Sequence, residues 1–184
     1  MNNENKIIIY QVFTRLFGNN NNHCVYNGDI VTNGCGKMAD FTLKALSEIK
    51  KLGTTHIWYT GIIEHATQTD YRRYNISPDH PAIVKGKAGS PYAIKDYYDV
   101  DPDLANDIPE RMREFENLVR RTHRAGLKVI IDFVPNHVAH ANTILMHNRT
   151  GQRNWELTMI QASLSVPIII SIIFLKRNFV PSLT

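Results

Sequence analysis

The feature that most constrains the fold is an apolar run at residues 127–137 that ends in polar side chains. It reads LKVIIDFVPNH, follows a helical pattern and is preceded by Gly126. A run of this kind is typical of a strand buried inside a parallel sheet. Polar groups at the carboxyl end of such a strand lie where α/β barrels carry their active sites. The run therefore predicts a parallel α/β fold with its chemistry on the loop after this strand.

Other apolar stretches alternate with helical patterns along the chain. In order, they predict a strand at 7–13, a helix at 38–52, a strand at 55–61 and a helix at 108–125. Asp40 is the predicted N-cap of the first helix, and Gly53 its predicted end. Residues 19–36 and 63–91 lack such patterns and are predicted to be loops; a loop as long as the second is usually functional. The alternation predicts βα units and a parallel sheet.

Chain length limits how complete this fold can be. A full (β/α)8 barrel takes about 250 residues, whereas the chain has 184. The predicted fold class is therefore α/β, an incomplete (β/α)8 TIM barrel with about its first three strands.

Charge and cysteine content argue against several function classes. The net charge is +4, but the basic residues are scattered and do not form a stripe, so no nucleic-acid partner is expected. Cys24 and Cys35 do not make a disulfide framework, and free thiols are expected. Residues 1–6 are polar and carry no apolar signal segment, which leads us to expect a cytoplasmic chain.

Three segments in order resemble the N-terminal third of the α-amylase superfamily of glycoside hydrolases, over about residues 6–140. The most specific is Asp132-x-Val134-x-Asn136-His137, which matches the family's signature at the end of the third barrel strand. Residues 90–102, SPYAIKDYYDVDP, resemble the family's segment between strand two and helix two. Residues 115–126 match the helix that leads into strand three.

The resemblance implies a role for each matching residue. His137 would bind the sugar beside the cleaved bond, and its ring nitrogens suit hydrogen bonds to hydroxyls. Tyr92 would stack on that sugar, and Asp132 would orient the site. Asn136 would ligate a structural Ca2+ through its amide oxygen, a donor suited to that ion. From the residues alone, Asn136 and His137 could equally cap the end of the strand.

The implied substrate is an α-glucan or maltooligosaccharide, cleaved with retention of configuration. Such hydrolysis needs two carboxylates about 5 Å apart, which the family carries after its later strands. No Asp or Glu of this sequence matches those positions, so whether the chain is an enzyme stays open. We expect an inactive fragment of a glycoside hydrolase; the alternative is a non-catalytic sugar-binding remnant.

The tail from 141 to 184 departs from the family pattern that covers 1–140. Residues 166–175 are apolar without a period and too short for a spanning helix, which needs about 20 apolar residues. A buried strand or a small membrane-associated protein are two interpretations, although no membrane partner is expected. A third, which we favour, is a change of reading frame between about residues 141 and 154. Moving each codon of residues 155–174 one base earlier permits the polar peptide LGANDDTSKSFSPNNNFYYF.

Overall fold

A computed structural model describes residues 6–134 and the strand at 168–172. Its helices and strands are β1 (Ile9–Phe13), α1 (Ile30–Asn33), α2 (Leu43–Lys51), β2 (His56–Thr60), β3 (Ile63–His65), β4 (Ile94–Val100), α3 (Arg111–Arg124), β5 (Lys128–Phe133) and β6 (Ile168–Ile172). Short 3-10 turns lie between several of them. Within the described residues, no helix is both long and apolar enough to cross a membrane.

Four strands form one parallel sheet in the order β1-β2-β5-β6. Gln11 of β1 pairs with Trp58 of β2, which in turn pairs with Ile130 of β5. Parallel neighbours need long crossover connections, and helices α2 and α3 provide them. The predicted α/β class is confirmed, and the described part of the chain is an open sheet and not a closed barrel. It holds one parallel strand more than the three that were predicted, because β6 pairs with β5.

The main core lies between the outer face of this sheet and helices α2 and α3. Side chains alternate along a strand, so one set of strand residues faces the helices, namely Ile57, Tyr59, Val129 and Ile131. Leu46 of α2 and Leu118 of α3 are fully buried against them. The Tyr59 hydroxyl also hydrogen-bonds Thr122 Oγ1 at 2.6 Å.

Helix α2 begins later than predicted. Asp40 was predicted as its N-cap, which is wrong: Asp40 lies in a 3-10 turn and accepts from the Lys37 backbone amide at 2.6 Å. The cap is Thr42, whose hydroxyl accepts from the Ala45 amide at 3.2 Å. Gly53 follows the helix with φ +83°, a left-handed conformation that glycine adopts without strain, so the predicted end is confirmed.

An antiparallel pair of strands, called the hairpin below, begins in the region that was predicted to be a loop, and its second strand follows that region. Strand β3 pairs antiparallel with β4, and their register is irregular around Glu64. The three-residue β3 is too short to produce a recognisable period, which is why the sequence did not indicate it. The hairpin lies between β2 and α3 in the chain, where barrels carry their functional loops.

Strand β6 falls in the tail for which the sequence left three interpretations. Its parallel pairing with β5 supports a strand in that apolar run. The change of reading frame stays a prediction, as does the boundary at residue 140. The Asn136 and His137 positions lie outside the described residues.

Candidate functional site

Asp132 is a buried carboxylate at the carboxyl end of β5. Its Oδ1 accepts a hydrogen bond from Trp58 Nε1. Burial raises the pKa of Asp132, and the Trp58 indole and the nearby Gly61 backbone amide oppose that rise because they stabilise the charged form. Oδ2 is buried and has no hydrogen-bond partner among the described residues. One oxygen of this carboxylate is thus hydrogen-bonded, and the other is buried without a partner among the described residues.

Polar side chains mark the carboxyl end of the inner sheet face. Gln11 Nε2 of β1 donates to Thr60 Oγ1 of β2 at 3.0 Å. Thr60 follows Tyr59, which pairs with Ile131 of β5, so the register places Thr60 level with Asp132. Parallel strands bring their carboxyl ends to the same edge, and the three side chains therefore share one edge of the sheet.

Gly61 connects this edge to the turn that carries Tyr92. It has φ +80°, and a Cβ there would lie 3.1 Å from both Phe13 Cε2 and Pro91 Cβ. Pro91 therefore packs directly over the end of β2. The turn is closed by the Ala93 amide donating to the Ser90 carbonyl at 2.9 Å. A side chain at position 61 would separate the turn from the strand.

Tyr92 extends from this turn with 41% of its surface exposed. Its backbone amide bonds Ser90 Oγ at 3.4 Å. Because Pro91 packs against Gly61, just after β2, the turn lies at the carboxyl end of the sheet, where Asp132 also lies. Two of the predicted site residues, Tyr92 and Asp132, thus lie at the same end of the sheet. An exposed ring on a closed turn is suited to stacking on a ligand face.

The exit of β5 toward Asn136 and His137 is held by the hairpin. The Tyr97 hydroxyl donates to the Val134 carbonyl, and the Tyr97 ring lies 5.5 Å from that of Phe133. Val134 is buried with Ile63 and Ile94 in a small second core. Tyr97 was predicted to be a packing residue, and its contacts agree with that. They fix the point from which the segment with the two remaining predicted site residues departs.

A buried ionic network beside the site was not found from the sequence. Arg15, just after β1, pairs with Asp103 and lies 3.7 Å from Asp101 Oδ2. His65 Nε2 lies 3.5 Å from the same oxygen, and Tyr71 donates to Asp103 Oδ1 at 2.8 Å. Burial raises the pKa of Asp101. The network ties the end of β1 to the end of β4, and its members lie too far apart in the chain for a motif to reveal it.

A second buried group surrounds Lys95 of β4. Its Nζ lies 3.1 Å from Asp79 Oδ2 and 3.8 Å from Glu64 Oε1, and it donates to the Ser77 carbonyl. Burial raises the pKa of Glu64 to about 7, although Lys95 acts in the opposite direction. These contacts anchor the long segment between β3 and β4. Among the described residues, no cluster of three or more His, Cys, Asp or Glu side chains could hold a metal ion.

A parallel α/β sheet built from βα units, with polar side chains at its carboxyl edge, is typical of part of an α/β barrel. The family model for the α-amylase catalytic domain matches residues 11–157. The chain therefore belongs to the α-amylase family of glycoside hydrolases, as the resemblance indicated.

Three known proteins show how similar this chain is to individual sequences and structures. The chain is 28% identical to alpha-amylase 2 of Dictyoglomus thermophilum over 152 residues, covering 80% of this chain and 22% of the relative. It is 30% identical to the human amino acid transporter heavy chain SLC3A1 over 146 residues, covering 78% and 16%. An alpha-amylase structure from Lactobacillus plantarum aligns with TM-score 0.50 and 30% identity, covering 76% and 25%. The chain spans about a quarter or less of these proteins.

Proposed function

We propose that the described region is the N-terminal part of a glycoside hydrolase barrel that binds an α-glucan or maltooligosaccharide at the carboxyl edge of its sheet. The observation that supports this most directly is Asp132, buried at the end of β5 with Oδ2 unpaired among the described residues. A buried carboxylate oxygen without a donor is costly, and a sugar hydroxyl would satisfy it.

The roles proposed for the site residues follow from their chemistry. The Tyr92 ring stacks on the face of a sugar ring, and the Asp132 carboxylate accepts a hydrogen bond from a sugar hydroxyl. His137 adds a hydrogen bond from the segment after β5. Tyr92 and Asp132 both lie at the carboxyl end of the sheet, which supports one shared site. This proposal concerns binding and does not need the catalytic groups.

We propose further that the 184-residue chain binds sugar without cleaving it. Hydrolysis with retention requires two carboxylates about 5–5.5 Å apart. Among the four described strands of the parallel sheet, Asp132 is the one acidic residue. The whole barrel would act on α-glucosidic bonds by using carboxylates from strands that this sequence does not contain.

Calcium is a separate proposal that depends on Asn136. Its amide oxygen would be one ligand, and the others would come from residues outside the described part. Calcium should then raise the melting temperature of the chain, and Asn136→Ala should remove that increase. An equal increase in both proteins would contradict a role for Asn136.

Sugar binding can be tested directly on the full chain. Maltoheptaose is titrated into wild type, Tyr92→Ala and His137→Ala by isothermal titration calorimetry, and we expect each variant to bind at least about tenfold more weakly, a loss of about 1.4 kcal/mol. Tyr26→Ala is the matched control, because Tyr26 is a 99% exposed tyrosine on the loop after β1.

Two outcomes would contradict the proposal. If Tyr26→Ala weakens binding as much as Tyr92→Ala does, the site is not at the sheet edge. If wild type releases reducing sugar from starch and Asp132→Asn does not, the chain contains catalytic groups that the proposal denies.

A further inference from the structure

We propose that Trp58 is a positioning residue that holds Asp132 so that its free oxygen faces the sugar. This inference rests on the proposed sugar-binding function of Asp132. It adds a residue that the family motifs in this sequence do not include, since Trp58 lies inside β2 and away from the loops.

Strand register brings the two side chains onto one face. Trp58 pairs with Ile130 of the neighbouring strand. Asp132 lies two residues further along β5, and residues two apart point to the same side of a sheet. The indole Nε1 donates to Asp132 Oδ1 across the inner face, toward the carboxyl edge. Because Trp58 belongs to a central strand, the sheet fixes the position of the indole N–H that donates to Asp132.

The end of β2 beside Asp132 is tightly packed. Gly61 lies between Phe13 and Pro91, with only 3.1 Å from each to an added Cβ, and its backbone amide lowers the pKa of Asp132. The remaining oxygen, Oδ2, is buried and unpaired among the described residues.

This arrangement differs from ordinary aromatic packing. Tyr59, the next residue of β2, is fully buried on the opposite face and bonds Thr122 of α3. Trp58 is only half buried, and its polar edge is directed at Asp132. Trp58 and Tyr59 are therefore a matched pair of aromatic residues on one strand, one facing the proposed site and one facing the helices.

The contact is tested first by nuclear magnetic resonance on the full chain labelled with nitrogen-15. The chain contains two tryptophans, so a Trp155→Phe background leaves a single indole resonance from Trp58. We expect this resonance to shift with pH in one step as Asp132 ionises, and to lose that step in Asp132→Asn. We also expect the pKa of Asp132, followed through its carboxyl carbon, to be higher in Trp58→Phe. An indole resonance that does not respond to Asp132→Asn would overturn the inference.

The consequence for the sugar is tested by measuring the Kd for maltotriose. We expect Trp58→Phe and Asp132→Asn each to weaken binding about tenfold, and the double variant to bind no more weakly than Asp132→Asn alone, because the two residues act as one unit. Tyr59→Phe, which loses a hydroxyl on the opposite face, should leave the Kd unchanged.

The outcomes separate this inference from the proposed function. If Asp132→Asn weakens binding and Trp58→Phe does not, or if their effects add, Trp58 does not position Asp132 while the sugar site stands. If wild type itself does not bind maltotriose, the proposed function fails and the inference fails with it. Circular dichroism on each variant confirms that the fold is retained.

Discussion

Glu64 illustrates how burial changes the chemistry of a single side chain. It lies in β3 and is 5% exposed, and burial raises its pKa to about 7 even though Lys95 opposes the rise. Lys95 is closer to Asp79, at 3.1 Å, than to Glu64, at 3.8 Å. At mildly acidic pH, Glu64 is therefore neutral and Lys95 keeps its ion pair with Asp79.

The raised pKa predicts how stability depends on pH. The folded state binds the Glu64 proton more tightly than the unfolded state, whose pKa is near 4.5. The contribution of Glu64 to the free energy of unfolding should be complete below about pH 4.5 and decline as pH rises to about 7. The total decline is about 3 kcal/mol. Urea unfolding across this range should show a smaller decline for Glu64→Gln than for wild type.

Glu48→Gln is the control for this experiment, because Glu48 is an exposed glutamate of α2 that pairs with Lys51. It should follow the wild-type curve. If Glu64→Gln also follows that curve, Glu64 does not retain its proton in the folded chain.

The sequence allowed some of the candidate site to be predicted at this scale. Asp132 and Tyr92 were identified because a family motif includes them, and both lie at the carboxyl edge of the sheet. Trp58 and Gly61 were missed. A tryptophan inside an apolar strand is typical of a core residue, and the positive φ of Gly61 depends on Phe13 and Pro91, which are distant in the chain. Contacts of this kind become visible only once the strands are in register.

Elements were predicted well where they were long and periodic. The strands at 56–60 and 128–133 and the helix at 111–124 lie within their predicted ranges. The hairpin of β3 and β4 was missed because β3 has three residues and its register with β4 is irregular. What joins these elements is also hidden from local patterns: Arg15 and Asp103 are 88 positions apart. They pair only once the chain has folded, so no local sequence pattern predicts the contact.

Removing Arg15 should separate β1 from the end of β4. Its partners Asp101 and Asp103 have side chains that are 1% and 0% exposed. Arg15→Ala would remove the positive charge of Arg15 from beside these two buried carboxylates. Breaking a buried pair costs about 3–5 kcal/mol, so we expect a loss of that size in the free energy of unfolding, measured with urea at pH 7.

The matched variant is Arg72→Ala, which breaks an exposed pair with Asp70. Exposed pairs contribute little, and no measurable change is expected. Equal stability of the Arg15 and Arg72 variants would show that the buried network does not hold β1 and β4 together.

For the whole molecule, the described sheet is open on the side of β1. Ile7 and Ile9 remain 66% and 49% exposed there, and β1 pairs with β2 alone among the described strands. Parallel sheets are normally covered on both faces, so an open sheet of this kind presents unpaired backbone groups and apolar side chains together. Unprotected edges of this kind favour association between chains.

The isolated 184-residue chain should therefore associate as its concentration rises. Ile9→Lys places a charge on the edge strand and should lower the associated fraction in sedimentation velocity experiments. Leu16→Lys, at an exposed leucine in the loop after β1, should not. A wild-type chain that stays monomeric as its concentration rises would contradict this prediction.

The order of strands in the sheet, β1-β2-β5-β6, is also their order in the chain. A ribosome would thus deliver each new strand to the edge that the previous one left free. Between the end of β2 at Thr60 and the start of β5 at Lys128, translation takes on the order of ten seconds at typical rates. During that interval β2, which carries Trp58, has no partner strand on its β5 side, and this free edge can pair with another chain until β5 has been made.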